Sequence, residues 1–144
     1  MANFGKSSMS RLMTCERDIQ TIFLAVVKVY DCSVIFGIRT PETQFELYKK
    51  GREEVNGEWV VKDSDKVVTF KDGFKKLSRH NYEPSRAADV VPYPIDWKDI
   101  NKMFQLNGVV QAVQSQLLEQ GKITKTLEWG GNWRSFKDYP HYQL

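Results

Sequence analysis

The sequence predicts an α+β fold, a small and largely antiparallel sheet packed against helices in one domain. Long helical segments and short strand-like runs are mixed, without the repeating strand–helix–strand rhythm that builds a parallel sheet. An Asn56-Gly57 pair, a strong hairpin signal, sits between Glu53-Glu54-Val55 and Glu58-Trp59-Val60-Val61. A chain of 144 residues suits a single domain that can bury a real core.

Each element has its own warrant. Ser10 to Tyr30 reads as one amphipathic helix, because Leu12, Cys15, Ile19, Ile22, Phe23, Val26 and Val29 recur at three- and four-residue spacing. Ser33 to Ile38 reads as a short buried strand, rich in β-branched and aromatic residues. Thr40 fits an N-cap with Pro41 in the first helical position, so a short helix runs to about Lys50 and stops at Gly51. Residues of about 52–72 read as a hairpin-like surface insertion. It is either decoration or one wall of a substrate groove with Trp59 exposed. Ala87 to Val91 reads as a buried strand leading to Pro92. Asp96 can cap a long helix from Trp97 to Glu119, stopped by Gly121 and open to a kink at Gly108. Thr126 to Trp129 is a strand, Gly130-Gly131-Asn132 a turn, and His141 to Leu144 a terminal strand. With three residues after His141, no second domain is expected on that side.

Bulk properties narrow the class. Hydrophobic residues are 41% and charged residues 27%, as in soluble globular domains. The longest apolar run, Ile22 to Val29, is interrupted by Lys28 and too short for a membrane span, so no membrane insertion is expected. Met1 to Lys6 lacks the apolar stretch of a secretory signal, which predicts synthesis in a cytoplasm. Cys15 and Cys32 belong to no Cys-x-x-Cys pair and read as reduced, buried thiols. The net charge of +3 is spread along the chain. It allows an anionic polymer as partner. No basic stripe with interleaved aromatics is present, so no nucleic-acid partner is expected.

The chain has only two histidines, and both have carboxylates nearby: His80 precedes Asp89, and His141 follows Asp138. Two imidazoles and one carboxylate leave a tetrahedral zinc one open position, the arrangement of a hydrolytic centre. Asp89 lies among Ala87, Ala88, Val90 and Val91, where a carboxylate is costly to bury alone. It either completes a metal's ligand set, pairs with Arg79 or Arg86, or caps a turn. His80-x-x-Glu83 offers a rival ligand, which Pro84 pushes out of helical geometry. Asp138, three residues before His141 across Pro140, suits a general base or is a turn residue beside Lys137. Arg39, between strand and helix, can polarise a carbonyl or grip a substrate carboxylate, or form a surface ion pair.

Four motifs in order carry a resemblance: Gly37-Ile38-Arg39-Thr40 with Gln44, Ser78-x-His80 followed by Ala87-x-Asp89, Trp129-Gly130-Gly131-Asn132-Trp133, and Asp138-x-Pro140-His141-Tyr142. Together they resemble the VanY-like D-alanyl-D-alanine carboxypeptidase family of zinc peptidases. The likeness is closest to its compact phage endolysins, the L-alanyl-D-glutamate peptidases, and runs from about residue 10 to the end. The resemblance implies a Hedgehog/DD-peptidase-like fold and one zinc ion held by His80, Asp89 and His141. It implies Asp138 as catalytic base and Arg39 as the group that stabilises the oxyanion. Ser78, Gln44, Trp129 and Asn132 would bind substrate.

The implied activity is hydrolysis of a peptidoglycan stem-peptide bond, L-Ala-D-Glu, for host lysis. A D-Ala-D-Ala carboxypeptidase or dipeptidase and a non-catalytic wall-binding zinc domain are the alternatives. The partner is bacterial peptidoglycan and the enzyme a monomer without a separate wall-binding domain. It would wait in the host cytoplasm and reach the wall through a membrane pore. The chain departs from the family in two places. Eight residues separate His80 from Asp89 where six are usual, and the extra residues, in Glu83-Pro84-Ser85-Arg86, are expected to bulge beside the metal. Position 138 is aspartate where many relatives carry glutamate.

Overall fold

A computed structural model describes residues 1–144. Helices α1 (Lys6–Leu12) and α2 (Arg17–Val29) lead into strand β1 (Cys32–Phe36) and helix α3 (Pro41–Tyr48). A hairpin of β2 (Arg52–Val55) and β3 (Glu58–Val61) follows, then β4 (Ala87–Pro92), α4 (Ile100–Glu119), β5 (Glu128–Trp129) and β6 (His141–Gln143). The main sheet has the order β1-β4-β6-β5, and every neighbouring pair is antiparallel. The α+β class with a small antiparallel sheet is therefore the observed one.

One face of this sheet carries the core. Val34, Ala88, Val90 and Tyr142 pack against Ile19, Ile22, Phe23 and Val26 of α2 and Leu106 and Val110 of α4. Successive residues of a strand point to opposite faces, so Asp89 and His141, paired across β4 and β6, share the other face. Strand β1 joins that face through a bulge. Val34 pairs Val90, but Asp89 pairs Phe36, so the register slips at Ile35 and turns Phe36 toward the site.

Several elements differ from the sequence expectation. The helix expected from Ser10 to Tyr30 is two helices broken at Met13–Glu16. Thr14 and Glu16 give a backbone carbonyl and N–H to Ser85, groups a continuous helix would need for itself. Helix α4 begins at Ile100, not Trp97. Asp99 caps it by accepting from Lys102 N, while Asp96 closes a short turn onto Lys98 N. The helix runs through Gly108 without splitting. The strand expected over Thr126–Trp129 is only two residues long, and Gly130–Asn132 form a 3-10 turn.

The hairpin forms where Asn56-Gly57 predicted it, with φ of 53° and 80° at the two turn residues. Trp59 is half-buried against Phe45, ring centroids 5.8 Å apart, and does not line the site cavity. Val68–Lys71, in the same 52–72 segment but after the hairpin, line that cavity. Cys15 and Cys32 are free and buried, and burial pushes their thiols up to about 11 and about 12.

Candidate metal centre

The site face of the sheet opens into a cavity of about 660 Å³. His80, Asp89 and His141 meet on its wall, with ligand atoms all within 4.8 Å of one another. Each arrives from a different segment. His80 sits in a 3-10 turn at Arg79–Asn81, closed by a capping box between Ser78 and Asn81. Asp89 is central in β4, and His141 opens β6 directly opposite it.

The hydrogen bonds fix what each group offers. His80 Nδ1 donates to Gly37 O at 2.7 Å, which leaves Nε2 facing Asp89 Oδ1 at 3.2 Å. His141 Nε2 donates to Gln143 Oε1 at 2.8 Å, which leaves Nδ1 facing the same Asp89 oxygen at 3.3 Å. Gln143 is oriented in turn, because its Nε2 donates to Glu128 Oε2 at 3.1 Å. Glu128 Oε1 accepts from Trp133 Nε1 at 2.7 Å, and the Trp133 ring lies 5.2 Å from His141. These contacts form a closed ring around one imidazole.

Both histidines therefore donate outward to carbonyl oxygens and turn lone pairs toward one carboxylate oxygen. Three electron-rich atoms facing each other need a cation or a proton between them. Outward donation to carbonyls is the support metal-binding imidazoles normally have. The two nitrogens and one oxygen fit zinc.

The electrostatics agree with a cation-seeking cluster. Burial would raise the Asp89 carboxyl, but the charges and hydrogen bonds of His80 and His141 outweigh it and hold it far below the carboxylate range. Burial would lower His141, but its hydrogen bond to Asp89 and the charges of Asp89 and Asp138 raise it. Asp138 lies on the cavity wall, its Oδ2 3.9 Å from His141 Nδ1. Burial, then the charge of Asp89, push its carboxyl up to about 6. Gly130 makes this placement possible. Its Cα lies so close to Asp138 that a Cβ there would collide with the Asp138 carbonyl, and Gly130 O accepts from Asp138 N at 3.0 Å.

Arg39 is buried in the same wall. Its Nη2 donates to Asp89 Oδ2 at 3.0 Å and its Nη1 to Gln44 Oε1 at 2.8 Å, while the guanidinium lies 4.3 Å over the Phe36 ring. Arg39 Nε has no hydrogen-bond partner. Asp89 thus pairs with Arg39, not with Arg79 or Arg86. Arg86 lies near Glu16 instead, at 3.5 Å.

The substrate-binding expectations divide. Ser78 lines the cavity and also caps the turn that carries His80. Gln44 is fully buried and off the cavity, so it holds Arg39 and does not touch a ligand there. Trp129 is a core residue packed on Phe104, and Asn132 is exposed outside the cavity. Trp133 lines the cavity in their place. Glu83 is exposed and does not join the cluster. The longer loop does not bulge beside the site. Its Ser85 is buried against Thr14 and Glu16, and none of Glu83–Arg86 lines the cavity. Gln143 was missed by sequence reasoning, although its two-residue spacing from His141 on a strand places both on one face.

Three comparisons with known proteins bear on this site. The family described as D-alanyl-D-alanine carboxypeptidase matches residues 72–144, just over half the chain. The peptidoglycan L-alanyl-D-glutamate endopeptidase CwlK of Bacillus subtilis is 32% identical over 123 residues, covering 83% of this chain. The chain spans 64% of that relative's length, under two thirds of it. The crystal structure of the Serratia marcescens L-Ala D-Glu endopeptidase ChiX matches with a TM-score of 0.66 and 23% identity, over 99% of this chain and 90% of that one. At that identity the likeness concerns the fold.

Proposed function

The chain belongs to the D-alanyl-D-alanine carboxypeptidase family, and from that premise we propose that it is a zinc peptidase of bacterial peptidoglycan, cutting the L-Ala-D-Glu bond of the stem peptide. The observation that carries this is the inward pair of imidazole lone pairs sharing Asp89 Oδ1, with Asp138 beside them in one open cavity. The name of the Bacillus subtilis relative supports the bond. The likeness to phage endolysins supports host lysis as the setting. No helix is long and apolar enough to cross a membrane.

His80, Asp89 and His141 would hold the zinc. A zinc ion held there would supply Lewis-acid chemistry and make a water molecule more acidic. Asp138 accepts the proton of the attacking water and passes it to the leaving amine. Arg39 is a fixed cation in the wall, held by Asp89 and Gln44, and its charge would stabilise the developing oxyanion. The Phe36 and Trp133 rings lie in the cavity wall beside His80 and His141.

The test is Asp138→Asn. Digestion of purified peptidoglycan should fall about 10²- to 10⁴-fold while one zinc per chain is retained. Retained metal with undiminished digestion would remove Asp138 from the mechanism. Product masses decide the bond, because L-Ala-D-Glu cleavage frees the stem peptide from the glycan and a carboxypeptidase releases free D-alanine.

A further inference from the structure

Resting on the peptidase reading above, we propose that Lys50, Lys71 and Arg79 form a cationic rim that selects peptides bearing a free carboxylate beyond the scissile bond. All three line the cavity, and they come from three separate segments: the turn just after α3, the stretch after the hairpin, and the turn that carries His80. None of them forms an ion pair, whereas neighbouring Lys49 and Lys66 pair with Glu46 and Asp63. The cavity wall holds two carboxylates, Asp89 and Asp138. Asp89 is already engaged by both histidines and Arg39, and Asp138 lies against His141. Counting Arg39, four permanent cations face two occupied carboxylates, and a metal ion would add to the imbalance.

The rim is anchored by the network that builds the site. Buried Gln44, which holds Arg39, also donates to Lys71 O at 2.9 Å, and Lys71 N donates to Thr69 Oγ1. Arg79 O accepts from Arg86 N at 3.0 Å, and the next residue is His80. Apolar walls beside one sign of charge focus the field and raise the local concentration of an anion. Phe70 and Phe136, 5.4 Å apart, supply such walls.

The chemistry of the substrate matches. A glutamyl residue has two carboxyl groups and a peptide chain uses one. The residue on the leaving side of an alanyl-glutamate bond therefore brings a second carboxylate, unless that group is amidated. On this proposal the rim reads that group, and amidated wall peptides are poor substrates.

The experiment uses two synthetic stem peptides that differ only in a free or an amidated glutamyl carboxyl. Binding is measured on the chelator-stripped chain, so that the metal cannot itself anchor the carboxylate. Turnover is measured in parallel on the zinc-loaded chain. The free acid should bind about tenfold tighter. Each of Lys50→Gln, Lys71→Gln and Arg79→Gln should narrow that preference by about twofold, the size of a solvent-exposed ion pair. Raising salt from physiological strength to about 0.5 M should shrink it without any substitution. Equal affinity for the two peptides in the wild-type chain, or a preference unchanged in the triple variant, overturns the rim. If binding prefers the acid but neither peptide is cut, the peptidase reading fails and the rim stands. If both are cut and bound alike, the rim fails alone.

Discussion

The two faces of the four-stranded sheet are built from alternate residues of the same strands, yet they obey opposite rules. On the core face, Val34, Ala88, Val90 and Tyr142 are wholly removed from water and touch helices. On the site face, Asp89 and His141 are nearly as buried but surrounded by partners: two imidazoles and a guanidinium for the carboxylate, a carboxylate and an amide for the imidazole. The difference teaches that burial here does not sort residues by polarity. The core face is stabilised by excluding water, whereas the site face keeps its charges because each has a partner within hydrogen-bond reach.

The largest test breaks that alternation. Val90→Asp puts a carboxylate on the face that has no partner for it, and should cost more than about 4 kcal/mol, leaving the chain unfolded in thermal melts. A cooperative melt near the wild-type temperature would mean that the core face tolerates charge as the site face does.

The next test loosens the support of one imidazole. Glu128→Ala releases Gln143 from the orientation that makes it accept from His141. Zinc affinity, measured by competition with a chromophoric chelator, should fall about 10- to 100-fold. Unchanged affinity would show that the ring through Trp133 is only a surface contact.

The site face also carries a pH signature that the core face lacks. With the Asp138 carboxyl near 6, the folded metal-free chain holds a proton that the unfolded chain has already released above about pH 4. Stability of the chelated chain therefore falls as pH rises from about 4 to 6. His141 acts in the same direction, because its raised pKa gives stability that is present at low pH and lost as pH rises through its folded value. Melts at pH 4.5 and 7 should show the drop, and Asp138→Asn should reduce it, leaving the part that His141 contributes. A variant as steep as wild type would place the effect elsewhere.

The smallest effect lies in the core. Tyr142 is fully buried, its ring 5.3 Å from Phe23, and its hydroxyl has no hydrogen-bond partner. Tyr142→Phe removes that cost and should be neutral or stabilise by up to about 1 kcal/mol in denaturant titration. A clear loss of stability would mean the hydroxyl has a partner after all.

Local chemistry was legible in the sequence wherever both partners lie within a few residues. Asn56-Gly57 formed its hairpin, and Thr40 with Pro41 started α3 as their conformations require. Longer-range competition was not legible. Ser85 pairs with the chain at Thr14 and Glu16 and so breaks an otherwise unbroken helical pattern. Trp129 and Trp133 look alike in sequence. Only the packing of Phe104 on one and the Glu128 bond to the other assign core and cavity.

The sequence by itself determined the chemical inventory: two histidines, two carboxylates with separate neighbourhoods, one arginine between strand and helix, and a period of two that puts Asp89 and His141 off the core face. Only the tertiary structure decided how these groups meet. Asp89 Oδ1 reaches a histidine 9 residues away and another 52 residues away. The register of β4 on β6 and the bulge in β1 choose Asp89 over Glu83, bring Phe36 under Arg39, and leave the lone pairs of both imidazoles facing inward. The physical reason is that strand pairing joins positions far apart in the chain, and a shift of one residue would carry every side chain to the opposite face.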